Sequence, residues 1–347
     1  MYTWNNINIK IRCSDNKYIS DILEYTSIFR TMPSEENADK EKADITVTIC
    51  NEGENMLPPF DKNTEILNKY NIFLEKETEL KICSNEKGYW YIYEGIAGIW
   101  VDLLNCEIKI SLSCNLFSFR YYNILVFLLY PLGTLLQKFG YNRVHASSVD
   151  IGGRALLFTG MSGSGKSTAA FAVAAGGGNI IADDMTFIKN AGDCYNVFTI
   201  TRLVKLGEEA IGRFFPELLK QRCLKGAEQD IYFDVNDIND RAYSESGKNK
   251  LPPNEGKNGN CPDPPELNAA IILEKTGSKD SDYSKIHPLK TIPHLFPSSI
   301  QVNRGESTLN KFNFLTDLLD NIRCYKVDFG TSMPGFYGKV KTLLYEI

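Results

Sequence analysis

The chain lacks the spacing patterns that build covalent or metal staples. Its nine cysteines are an odd number scattered along 347 residues without a C-x-x-C pair, and there are only three histidines. That pattern argues against a disulfide framework and a structural zinc site, and reduced thiols in a cytoplasmic protein are the simplest reading. An excess of basic charge is missing as well: 38 Lys and Arg stand against 43 Asp and Glu, a net charge of −5. The broad positive field that grips nucleic acid is therefore lacking, and no nucleic-acid partner is expected. The opening residues, MYTWNNINIKIRCSD, have no basic start followed by an apolar run, so no secretion signal is read. The most apolar stretch, Tyr121 to Gly140, is interrupted by Pro131 and Gly133, and its clean run is shorter than a bilayer requires. A buried helix or helix pair is expected there, and no membrane partner.

The first third reads as β-structure. Ile7, Ile9 and Ile11 alternate with polar residues, and ADITVTIC (Ala43 to Cys50) is rich in strand formers. Four further short runs between Glu79 and Leu112, separated by turn-like pieces such as SNEKG, suggest an antiparallel meander. The aromatic run Tyr89, Trp90, Tyr91 and Tyr93 within it reads as packing rather than as a base-stacking platform. These patterns predict a β-rich domain over 1–115, an apolar helical connector over 116–140, and an α/β core over 141–347. Within the core, 241–266 is almost wholly polar and rich in Gly, Pro and Asn, and it reads as a long mobile loop. The charged segment Pro33 to Asp44 reads as a solvated loop or helix end.

The chemistry concentrates after residue 141. RALLFTG is an apolar run ending in glycine, KSTAAFAVAA is helix-compatible, and NIIADD is a second buried-strand pattern, so strand, glycine loop, helix and strand follow in order. Gly160-Met-Ser-Gly-Ser-Gly165-Lys166-Ser167 fits G-x-x-x-x-G-K-[ST], the P-loop. Glycines let the backbone wrap a phosphate, and the following helix offers its positive N-terminus. Gly160, Ser162, Gly163, Ser164, Gly165, Lys166, Ser167 and Thr168 are thus candidate nucleotide-binding residues for ATP. Lys166 would bridge the β- and γ-phosphates and Ser167 would ligate Mg²⁺. Asp183 and Asp184 close the next apolar run, where such proteins hold Mg²⁺. Two adjacent carboxylates permit a division of labour between metal ligand and base, and sequence leaves open which is which. His287 and His294, seven apart around a proline, have no Cys or acidic partner at ligand spacing.

VHASSVDIGGRALLFTGMSGSGKSTAAFAVAAGGGNIIADD resembles the catalytic core of the HPr kinase/phosphorylase family, bacterial serine kinases whose P-loop fold is related to phosphoenolpyruvate carboxykinases. The matched features are H-x-x-x-V-D-I, the strand, the P-loop and the ADD ending, over about Arg143 to Ile188. The resemblance implies an α/β P-loop kinase core with a mixed sheet, preceded by a smaller β-rich domain. It makes His145 an active-site residue near the γ-phosphate and the acidic pair. It makes Arg202, in FTITRLVKL, the nearest counterpart of an arginine that meets the phosphates, with Lys205 second. The family's E-I-R-G-L-G signature is reduced here to that arginine, and its P-G-R-N loop is absent. The implied activity is therefore ATP-dependent phosphorylation of a serine on a peptide or small protein, as in kinases of peptide-maturation systems, including those acting on lasso-peptide precursors. A kinase of a small hydroxylated metabolite and an ATP-binding regulatory module are the alternatives, and a homo-oligomer is left open.

Overall fold

The computed structural model describes residues 1–13, 24, 26, 29–30, 43–50, 58, 60–74, 76–113, 121–220, 223–225, 230–245, 264–296 and 305–346. Two compact units form, one over Met1–Phe139 and one over Gly140–Gln301 with Gly305–Ile347.

The first unit is built on a nine-stranded sheet. Tyr2–Trp4 and Ile7–Cys13 form an antiparallel pair, and Ile7–Cys13 continues through parallel pairing with Ile45–Cys50. Ile45–Cys50 in turn lies parallel to Glu107–Leu112. From there the sheet runs back as an antiparallel meander through Ala97–Asp102, Gly88–Tyr93, Lys76–Ser84 and Glu65–Leu74. Alternation sets the faces: Ile45, Val47 and Ile49 are buried while the threonines between them are half-buried. The aromatic run packs inward, with Trp90 and Trp100 ring centroids 4.1 Å apart.

Of the segment read as an apolar helical connector over 116–140, residues 116–120 lie outside the described residues. Tyr121–Leu136 is one helix that runs through Pro131 and Gly133, and the first unit extends to Phe139. Its Phe127 ring lies 4.8 Å from Tyr93, and its Thr134 hydroxyl is 2.8 Å from that of Tyr91. A helix this apolar must be covered to avoid a large hydration cost, and the aromatic face of the sheet covers it. Among the described residues no helix is long and apolar enough to cross a membrane.

The second unit is a mixed sheet with helices on both faces. Arg154–Thr159 and Glu266–Lys275 are parallel neighbours, and Glu266–Lys275 is parallel to Arg323–Phe329. Arg154–Thr159 is apolar on both sides: Leu156 and Phe158 join one core with helices Lys166–Ala175 and Met333–Tyr345, while Ala155 and Leu157 join another with helix Gly305–Asn321. That explains its unbroken hydrophobic run. A small three-stranded sheet, containing Leu203–Gly207 and Asp230–Asp234, completes the first of these cores. The segment read as a loop over 241–266 is shorter at both ends: 241–245 finishes the helix Val235–Glu245 and Glu266 opens a strand. Residues 246–263, like 33–42, lie outside the described residues.

Candidate functional site

Three pieces of chain distant in sequence meet at one edge of the second unit's sheet, and strand order is the reason. The strand before the glycine-rich loop and the strand Asn179–Ala182 before the acidic pair are not neighbours. Ser147–Ile151 lies between them, antiparallel to both, with Ser147 opposite Phe158 and Ser148 opposite Ala182. Its amino end therefore sits beside the carboxyl ends of the other two. His145 precedes that amino end, and the glycine-rich loop and the acidic pair leave from the carboxyl ends.

The loop Gly160–Ser167 needs its glycines where it bends. Gly165 caps the following helix at φ 98°, and a Cβ there would stand 2.8 Å from the Phe329 ring. Gly160 has φ 145°, and a Cβ would stand 2.8 Å from the Leu273 carbonyl oxygen. Any other residue would meet both strain and a clash. Lys166 is buried and its ammonium donates to the carbonyls of Gly160 (3.3 Å) and Met161 (3.4 Å), so it curls over the loop. Burial pushes its pKa down, opposed by the charges of Asp184 and Asp183. The Ser164 hydroxyl is buried without a hydrogen-bond partner, while Met161, Ser162 and Gly163 are exposed. A buried hydroxyl of this kind costs stability unless something supplies a partner.

The acidic pair divides sharply by environment. Asp183 is buried and accepts hydrogen bonds from Ser147 Oγ (2.5 Å), from Ser167 Oγ (3.0 Å to each carboxylate oxygen) and from the Lys205 backbone N–H (3.1 Å). Burial and the neighbouring Asp184 charge nevertheless push its pKa up to about 6, against the lowering effect of those hydrogen bonds. Asp184 is half-buried and held at φ +58°, a left-handed conformation that costs a non-glycine residue about a kcal/mol or more. Its carboxylate is 3.7 Å from the Lys205 ammonium, and its carbonyl oxygen is 3.1 Å from His145 Nδ1. Burial lowers the His145 pKa and favours the neutral ring, whose Nδ1–H can donate to that carbonyl.

His145, Lys166, Ser167, Asp183 and Asp184 thus come together. Arg202 is directed elsewhere: its guanidinium pairs with Asp234, Nε to Oδ1 at 3.3 Å and the terminal nitrogen to Oδ2 at 2.5 Å. Lys205, the second choice from sequence, is the cation beside Asp184. Ser147 was not singled out at all; the signal for it is a Ser-Ser pair at the start of the strand Ser147–Ile151, ahead of the glycine-rich loop. Thr168 faces a cavity beside the loop.

Ser167 and Asp183 offer hard oxygen donors suited to Mg²⁺, and the glycine cradle with the unpartnered Ser164 hydroxyl suits a polyphosphate. Among the described residues no three acidic, His or Cys side chains gather to enclose a metal by themselves. Mg²⁺ does not need such a cage, because it usually keeps waters and takes substrate phosphates as ligands.

No protein-family model and no curated protein matches this chain. Among solved structures, it is similar to the Hpr(Ser) kinase/phosphatase from Coxiella burnetii, with 14% identity over 59% of this chain and 97% of that one, at a TM-score of 0.29. That likeness is distant.

Proposed function

We propose that the second unit is an ATP-dependent serine kinase acting on a peptide or small protein. The observation that supports it most is the pair of 3.0 Å hydrogen bonds from Ser167 to Asp183, which couple the P-loop to the acidic pair. In this reading the backbone of Gly160–Ser167 and the Ser164 hydroxyl hold the phosphates, and Lys166 swings from its two carbonyls to the β- and γ-phosphates. Ser167 and Asp183 would hold Mg²⁺, which would supply charge neutralisation for the phosphates.

Asp184 then serves as the base, because Asp183 is occupied by Ser167, Ser147 and the Lys205 backbone. The acceptor's Oγ–P bond forms as the bond from the γ-phosphorus to the β,γ-bridging oxygen breaks. ADP leaves with that electron pair, and the hydroxyl proton passes to Asp184. His145 positions Asp184 through its carbonyl oxygen, and Lys205 balances its charge. Arg202 is left to the Asp234 pair. The acceptor class, a serine in a peptide precursor such as that of a lasso peptide, follows the resemblance of residues 143–188 and of kinases in peptide-maturation systems.

The test is to incubate the protein with Mg²⁺-ATP and a panel of serine-containing peptides and to locate added phosphate by mass spectrometry. Phosphoserine formed at a rate above acceptor-free ATP hydrolysis supports the reading. Phosphorylation of small hydroxylated metabolites alone, or ATP hydrolysis indifferent to every acceptor, sinks it.

A further inference from the structure

A cavity of about 260 Å³ opens beside the glycine-rich loop, and nothing in the phosphate chemistry above uses it. It begins at Thr168, in the first turn of the loop's helix. Helix Glu208–Phe214 supplies Ala210 and Phe214 as walls, and the ends of two parallel strands supply Lys275 and Phe329. Met333, at the start of the last helix, closes it. Carboxyl ends of parallel strands are where open α/β sheets bind ligands.

Cavity and loop are physically continuous. The Phe329 ring that lines the cavity is also the group standing 2.8 Å from a Cβ placed on Gly165, and Lys275 Cε is 3.3 Å from the same point. Phe329 is thus a shared wall and the Lys275 side chain passes the junction. The apolar side chains of the lining are Ala210, Phe214, Phe329 and Met333, with the Arg213, Glu209 and Lys275 charges exposed. Such walls suit a flat heteroaromatic ring, and a cation at the junction suits the first phosphate attached to it. Small-molecule pockets run from roughly 300 Å³ upward. This cavity can hold a ring system with its sugar but not a polyphosphate as well.

We infer that this cavity receives the base and ribose of the nucleoside triphosphate whose phosphates lie on Gly160–Ser167. The inference rests on the kinase reading, but it assigns residues outside the P-loop motif to nucleoside recognition, with Lys275 beside the α-phosphate. It also separates two affinities: phosphate binding belongs to the loop, and the gain from the nucleoside belongs to the cavity.

The experiment compares inorganic triphosphate with ATP and GTP by calorimetry, each with Mg²⁺, on the full chain. At least one nucleotide should bind tenfold or more tightly than inorganic triphosphate. Ala210→Trp and Thr331→Phe, which fill the cavity from two sides, should erase that gain and leave triphosphate binding within about twofold. Photolabelling of the wild-type chain with 8-azido-ATP should mark peptides containing Phe214, Phe329 or Met333. Equal affinity for triphosphate and both nucleotides, labelling elsewhere, or an unchanged nucleotide preference in both variants overturns the cavity assignment while the P-loop reading stands. Failure of triphosphate and nucleotides alike to bind overturns both.

Discussion

The two units bury β-structure in similar ways but treat charge differently. In the first, the buried polar side chains among the described residues are Thr26, Thr78, Ser84 and Asn85, all neutral. Asn85 shows their use: it donates to Asp61 and accepts from the backbone of Lys87 and Gly88, fixing a turn. The second unit buries Arg143, Lys166 and Asp183. Removing an ion from water costs several kcal/mol even after relaxation. A fold tolerates that cost where a ligand or reaction needs the group, so the buried Lys166 and Asp183 mark where the second unit does its chemistry.

The largest effect expected is on the site. Lys166→Ala should lower phosphoryl transfer by a factor of about 1,000 or more, as loss of a cation that stabilises the transition state does. Circular dichroism should be unchanged, because Lys166 donates only to two loop carbonyls. Activity retained in a folded variant breaks the P-loop reading. The matching experiment on the first unit is Ile99→Ala. Ile99 is fully buried in the meander, and its truncation should cost about 2–5 kcal/mol of stability. Triphosphate affinity of the second unit, measured below the melting transition, should not change. A stability loss under 1 kcal/mol would mean that the meander is not the core of its unit.

Asp183→Asn sharpens the contrast, since activity and stability should move in opposite directions. The folded pKa lies near 6 against the ordinary 3.8, so the folded state keeps a proton that the unfolded chain gives up. Metal-free stability from this group is full below about pH 4 and lost as pH rises to about 6. The loss amounts to at most about 3 kcal/mol. Removing the charge should make the metal-free protein more stable at pH 7.5, by on the order of 1 kcal/mol or more in urea unfolding, and flatten its slope between pH 4 and 6. Turnover should fall at least a hundredfold, with partial rescue at high Mg²⁺. A variant less stable than wild type at pH 7.5 would mean that the hydrogen bonds of Asp183 outweigh its desolvation.

Much of this was legible in the sequence because the signals were local. The loop motif, the IIADD ending and the short strand runs of the meander each lie within a few consecutive residues. What sequence could not reach depends on partners distant in the chain. Arg202 looked like the phosphate-facing cation, but Asp234, 32 residues later, pairs with it across the small sheet, and Lys205 takes the place beside Asp184. The apolar composition of Tyr121–Leu136 announced burial without saying against what, since the covering face comes from Tyr91 and Tyr93. The βαβ rhythm was right in order, yet it gave no hint that Ser147–Ile151 is inserted between its two strands.

That insertion leads to the smallest effect expected. Ser147 is buried, and its hydroxyl donates to Asp183 in a position that only the inserted strand can provide. This hydrogen bond holds the Asp183 pKa down, in opposition to burial and to Asp184. Ser147→Ala should therefore raise it further, by about half a unit to one unit. Mg²⁺ must compete with that proton, so the acid limb of the activity profile should move to higher pH by the same amount. Near pH 8, where Asp183 is ionised in both proteins, turnover should differ by only a few-fold; near pH 6 the gap should widen toward tenfold. A merely structural serine would lower activity evenly across the profile. A pH-independent loss would reduce Ser147 to packing, and an acid limb displaced to lower pH would overturn the hydrogen bond's assigned direction.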